Sequence, residues 1–165
     1  MRSLLGGTFT LASVTIAVGG GVLHVAPAAA DNLRLNNSVA ANVYTVQHQA
    51  GCTGDIRVDP QLQLAAQWHT IDVLNNRNLD GDIGSDGSTV QGRASAAGFR
   101  GTATETVAIN PALAISGVEI INSWYYRPDY MAIMSDCDNT RIGVWSESSI
   151  DRTVVVAVYG RPAEV

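Results

Sequence analysis

The sequence predicts an α+β domain, helical over its first two thirds and β-stranded at its end. Three observations carry that expectation. Apolar residues return at three- and four-residue steps over 35–50 and again over 62–74, the spacing of a helix face. Asp59-Pro60 and Asn110-Pro111 have the form of a helix cap followed by a first-turn proline. After Cys137 the pattern changes to β-branched runs, 141–145 and 153–159.

Taken in order, Met1-Arg2-Ser3 is a short positive start, and 4–30 holds no Asp, Glu, Lys or Arg before ending in Ala28-Ala29-Ala30. This reads as a signal peptide over 1–30 with a small-residue cleavage site, leaving a domain at 31–165. An uncleaved anchor is the rival reading, and the Gly19-Gly20-Gly21 triplet and Pro27 count against it. Leu35, Val39, Val43, Val46 and Ala50 line a first helix behind Asn36-Asn37-Ser38, ended by Gly51. The helix after Asp59 carries two stripes. Leu62, Ala65, Ala66, His69 and Val73 form one, and Leu64, Trp68, Ile71 and Leu74 the other, which predicts burial between layers. Ser88-Thr89-Val90-Gln91 reads as a capping box opening a short helix that Gly98 stops. Asn110-Pro111 opens a further helical segment running through Trp124. The unbroken valines of 153–159 predict a strand covered on both faces.

With Arg2 removed, nine arginines stand against fifteen Asp and Glu, a net charge of −6, which makes nucleic acid and anionic membrane poor partners. Both cysteines, Cys52 and Cys137, fall in the expected mature chain, and an exported protein with an even count is expected to pair them. They are too few for a cysteine-rich zinc site.

The order VDPQLQLAAQWH, a Gly-Ser-Asp-Gly-Ser loop, RASAAGF, ETVA, SWYYRPDYMAIM, RIGVW and VVVAVYG resembles the CAP superfamily of cysteine-rich secretory proteins, antigen 5 and pathogenesis-related 1, and within it the small secreted bacterial branch. The resemblance covers nearly all of 31–165 and implies a three-layer α-β-α sandwich. It also implies a cleft of two histidines and one or two glutamates, which in many members binds a divalent metal. On this chain the first histidine position falls at Asp82 and the glutamate of the E-N motif at Glu105, followed by Thr106. The W-x-x-S-P-x-H segment reads Trp124 to Tyr130, so Tyr130 replaces the second histidine, and Arg127 stands where many members have a second glutamate. A phenol is protonated near neutral pH and offers zinc no imidazole lone pair. No metal or other cofactor is therefore expected, beyond weak Ca²⁺ or Mg²⁺ on carboxylate oxygens. Glu105, left without histidines, is expected to take a charge-assisted contact from Arg127, Tyr130 or both.

The loop Leu79–Ser88 carries Asp80, Asp82 and Asp86, but counted from Asp80 the sixth and twelfth positions are Ser85 and Gln91, so it is not an EF-hand. A solvated turn capping the next helix is the plainer reading, with a weak calcium site as the other. His48 and His69 read as structural, since neither has an evident acid partner. Trp124 fits a core, while Tyr125, Tyr126 and Tyr130 fit either a core or a groove. Two functions follow. The first is a secreted, extracellular or envelope-located CAP module, non-catalytic, that binds a lipid, sterol or protein partner through a degenerate cleft without stable membrane insertion. The second is an extracellular hydrolase on peptide or cell-wall glycan, with Asp82 and Glu105 as a carboxylate pair.

Overall fold

The structure is a computed structural model, and it describes residues 27–111 and 115–164, with side chains from Asn32 onward. The expected leader at 1–30 lies outside the described residues except for the backbone of Pro27–Ala30. Elements follow in the order α1 (Pro27–Gln49), β1 (Arg57–Val58), α2 (Pro60–Asn75), α3 (Val90–Ala96), β2 (Gly101–Asn110), α4 (Gly117–Tyr125), α5 (Pro128–Met134), β3 (Arg141–Ser148) and β4 (Thr153–Pro162). One four-stranded sheet runs β1-β3-β4-β2, antiparallel except for the short parallel β1–β3 pair.

β4 lies inside the sheet, and Thr153 to Gly160 are all buried, as the valine run predicts. Because strand side chains alternate between faces, β4 feeds two cores. Val155, Ala157 and Tyr159 join Val39, Val43, Ile120, Trp124, Tyr130 and Met134 beneath α1, α4 and α5. Val154, Val156 and Val158 join Leu62, Ala65, Ala66, Val73, Ala94 and Phe99 beneath α2 and α3. The result is the three-layer α-β-α sandwich that the resemblance implies.

Asp59 caps α2 by accepting from the backbone of Gln61 (2.9 Å) and Leu62 (3.2 Å), with Pro60 in the first turn. At the other end the buried Arg152 guanidinium donates to the carbonyls of Val73 and Leu74, satisfying orphan acceptors where the helix dipole favours a cation. The start of α2 presses directly on β3: a Cβ at Gly143 would sit 2.1 Å from Gln63 N and from Leu62 C, so only glycine allows this approach.

The expected burial of α2 on both stripes is corrected: Leu62, Ala65, Ala66, His69 and Val73 are buried, but Leu64, Trp68 and Ile71 are exposed, because the sheet and α3 cover only the inner side of the helix. Four boundaries also depart from expectation. α1 is already helical at Pro27, the first described residue, rather than opening behind Ser38, and Asn36 is a buried residue within it. The α3 cap is Thr89, which accepts from Gly92 N at 3.1 Å, one residue past Ser88. Asn110-Pro111 opens no described helix: Asn110 pairs with Thr153 at the end of β2, and α4 starts behind Ser116, whose hydroxyl and Glu119 form a capping box. The pairing with β4 outweighs the local cap signal. β1 and β2 were not legible as strands, because Gly101–Asn110 mixes Thr, Ala and Glu and takes its form from the neighbouring strand.

Cys52 and Cys137 are bonded, with Cα atoms 5.2 Å apart, joining the segment after α1 to the approach to β3 across 85 residues. Opening the bridge in a Cys52→Ser, Cys137→Ser variant is expected to lower unfolding free energy by as much as about 4.5 kcal/mol, the loop-entropy value for a closure of this length. Equal denaturation midpoints for variant and parent would contradict a stabilising role.

Candidate functional site

Glu105 sits in the middle of β2, paired in register with Val158, and shares a sheet face with Ala103 and Val107. That face looks toward α2 and α3. Its carboxylate is 1% exposed and meets a guanidinium from α3: Arg93 donates to Glu105 Oε1 at 2.7 Å. The same Arg93 nitrogen donates to the backbone carbonyl of Asp82 at 2.8 Å, and the other terminal nitrogen donates to Ser88 O at 2.8 Å and Ser88 Oγ at 3.2 Å. One buried cation thus ties strand, helix and loop.

Two α2 side chains complete the anchoring of the loop. His69, fully buried, donates from Nε2 to the Gly81 carbonyl at 2.9 Å and lies 3.4 Å from Glu105 Oε1. Asp72 accepts from Ser85 N (2.7 Å), Ser85 Oγ (2.6 Å) and Asn76 Nδ2 (2.8 Å). Within the loop, Asp86 Oδ1 accepts from Ser88 N at 2.8 Å. A Cβ at Gly84 would come within 2.6 Å of Ser88 Oγ, 2.8 Å of Asp86 Oδ1 and 3.2 Å of Asp72 Oδ2, so glycine lets the loop close with these oxygens together.

Burial sets the protonation states. Desolvation pushes the Glu105 carboxyl up to about 7, although Arg93 beside it pulls the other way. Desolvation likewise holds His69 below its ordinary value, outweighing the opposing pull of its bond to Gly81. Hydrogen bonds from Ser85 and Asn76 outweigh desolvation and lower the Asp72 carboxyl, while those from Ser88 lower that of Asp86. The buried atoms Glu105 Oε2, His69 Nδ1 and Arg93 Nε have no hydrogen-bond partner among the described residues.

The four cleft positions carried over from the resemblance do not converge. Asp82 stays near Glu105, but it is the Asp82 backbone carbonyl that shares Arg93 with it, and the residue itself is exposed. Tyr130 lies in the core under α1, α4 and α5, 8% exposed and edge-on to Trp124 at 6.4 Å. Arg127 pairs with Asp129 at 2.8 Å, its guanidinium carbon 3.6 Å from the centre of the Tyr130 ring. Tyr130 and Glu105 thus belong to cores on opposite faces of the sheet. The expected Glu105 contact with Arg127 or Tyr130 is corrected: the donor is Arg93.

His69 also gains the acid neighbour that it lacks in the sequence. The signals were present but undirected: Arg93 is the cation of the short α3 segment, and His69 sits on the inner stripe of α2. Only the register of β2 brings Glu105 to both. His48 lies in the last turn of α1 with Nδ1 3.0 Å from Tyr44 O, a structural position. Trp124 is core, its indole donating to Val107 O at 3.0 Å, whereas Tyr125 and Tyr126 are exposed. Among the described residues no three His, Cys, Asp or Glu side chains cluster as metal ligands.

The Glu105 pKa fixes a sign for stability. A carboxyl raised from 4.5 to about 7 on folding binds its proton more tightly in the folded state, so its contribution is full below pH 4.5 and is lost as pH rises through about 7. The span corresponds to about 3 kcal/mol. Glu105→Gln keeps a neutral group, so its melting temperature relative to the parent is expected to rise from pH 5 to pH 8; a constant difference would contradict the raised pKa. His69 works in the opposite sense, its contribution being lost as pH falls below 6.5. Arg93→Met leaves an unpaired buried carboxylate and is expected to cost about 3–5 kcal/mol at pH 8. Denaturant unfolding should show a smaller loss at pH 5, where Glu105 is protonated.

No protein-family model matches the chain, and no curated protein matches it by sequence. Solved structures do. An outer surface protein from Borrelia burgdorferi superposes with a TM-score of 0.65 at 16% identity, over 76% of this chain and 90% of that one. An extracellular protein containing an SCP domain from Bacillus anthracis gives 0.65 at 16% identity, over 79% of this chain and 41% of that one. A cysteine-rich secretory protein from Staphylococcus aureus gives 0.53 at 11%, over 76% and 39%. The chain thus spans about two fifths of the length of the latter two. These likenesses and the α-β-α layering together identify the fold of this chain as that of the CAP superfamily.

Proposed function

We propose that the protein is an exported, non-catalytic CAP-domain module that binds a lipid, sterol or protein partner, its cleft having lost the metal-ligand histidines. The observation that carries this reading is the Arg93–Glu105 contact. The one acidic cleft position retained from the family pattern holds a guanidinium at 2.7 Å and is 1% exposed, so neither a metal ion nor a substrate reaches it without breaking a buried ion pair. Export is supported by the Cys52–Cys137 bridge, which persists in oxidising compartments. No helix among the described residues is long and apolar enough to cross a membrane.

The hydrolase reading has one observation in its favour. A glutamic acid with a pKa of about 7 is poised for proton transfer at neutral pH. Against it, Arg93 Nη2 bonds both Glu105 and the carbonyl of Asp82, so a cation stands where a carboxylate pair would need a water or a glycosidic oxygen. Isothermal titration with Zn²⁺ is expected to give no stoichiometric site that Glu105→Gln abolishes, and casein and peptidoglycan are expected to be left intact. Turnover of either substrate that disappears in Glu105→Gln would overturn the non-catalytic reading.

A further inference from the structure

The outer stripe of α2 is unlike the inner one. Leu64, Trp68 and Ile71, spaced four and three residues apart, are 37%, 41% and 40% exposed, so three large apolar side chains share one outward face. Beside Trp68 a recess of about 360 Å³ runs between α2 and α3. Its walls are the indole on one side and the small residues Gly92 and Ala96 on the other, and Asp72 and Asp86 line it as well. The closure at Gly84 holds those two carboxylates near one another, with oxygens 3.2 and 2.8 Å from one point. Their hydrogen bonds from Ser85 and Ser88 keep both ionised across the neutral range.

We infer that this recess receives a lysine or arginine side chain of a partner polypeptide, whose neighbouring apolar residues cover Leu64 and Ile71. A long basic side chain has an apolar stem and a charged head, and the recess offers a matching order of surfaces. The stem lies along Trp68 and Ala96, the cation gains from the indole face, and the head meets Asp72 and Asp86. Charge complementarity selects this occupant: the chain carries −5 overall, and Asp80 and Asp82 lie on the same loop as Asp86, with Asp82 exposed. An acyl chain or sterol would leave two carboxylates desolvated without a counter-charge. Buried Arg93 also lines the recess, but its terminal nitrogens are already directed to Glu105 and to the carbonyls of Asp82 and Ser88. The inference rests on the binding-module reading and specifies its partner.

The test is calorimetric titration with a capped heptapeptide, Gly-Leu-Lys-Gly-Leu-Lys-Gly, and with counterparts carrying Gln or Glu in place of Lys. The lysine peptide is expected to bind one to one, about tenfold more tightly than the Gln peptide, and to weaken as salt rises. Trp68→Ala is expected to weaken it about tenfold and Asp86→Asn several-fold, with melting temperatures confirming that both variants fold. Should Trp68→Ala lose its fold, Asp86→Asn and the salt dependence decide alone. Equal affinity for the three peptides, no binding, or binding unchanged in both variants would overturn the inference. So would a dimer that Trp68→Ala dissociates, or phosphatidylcholine vesicles captured through Trp68 while the lysine peptide is ignored. The vesicle result removes the basic partner but leaves the module reading standing, whereas Glu105-dependent hydrolysis would remove the reading itself.

Discussion

The constraint on which the other features depend is the burial of β4 on both of its faces. A strand held between β3 and β2 and covered above and below must be apolar at nearly every position, and Thr153 to Gly160 satisfy this with few polar groups. The one phenol among them, Tyr159, is fully buried and meets Thr106 Oγ1 at 3.1 Å, so even that hydroxyl is paired. Once β4 is fixed, ten residues of β2 are placed against it in strict register, and the pleat decides to which layer each belongs. Glu105 goes to the α2–α3 side and Thr106 to the other. A shift of one residue would exchange them, setting a carboxylate among Trp124, Tyr130 and Tyr159.

A carboxylate delivered to an apolar layer in this way needs a counter-charge, and the short α3 helix supplies it. Arg93 reaches Glu105 only because the turn after Asp82 and the cap at Thr89 hold α3 close to β2. In turn Arg93 holds that loop, by donating to the carbonyls of Asp82 and Ser88. Strand, helix and loop are therefore mutually dependent, as expected for a buried polar network in which each member satisfies several others. Such a network is poor evidence for added stability, since a desolvated ion pair roughly cancels its own attraction, but removal of either partner strands the other.

The same geometry sets Tyr130 and Glu105 in different layers. Histidine at the Tyr130 position would enter the opposite core, and the phenol there instead packs edge-on to Trp124 beneath Arg127. The aspartates around the Leu79–Ser88 loop are divided in task. Asp86 turns the loop through Ser88, Asp72 of α2 grips Ser85, and Asp82 remains at the surface. The outcome is a tightly held acidic rim next to an exposed indole.

Much of the fold was legible because its signals are local. The period of the apolar residues pointed to α2 with its cap at Asp59, the valine run announced a doubly covered strand, and the count of two cysteines in a chain read as exported announced their bridge. Ordered short motifs pointed to the three-layer sandwich. What the sequence could not specify were the relations that arise only when distant segments meet. Asn110-Pro111 has the local form of a helix start, yet pairing with Thr153 makes it the end of a strand. The partner of Glu105 was the chief casualty, since family position favoured Arg127 and Tyr130, whereas strand parity puts them in the other layer. By itself the sequence determined the inner stripe of α2 with its cap at Asp59 and the doubly covered strand at the end of the chain; the tertiary structure alone decided which side of α2 is covered and which buried charge meets which, because that depends on sheet register and on the face to which each residue turns.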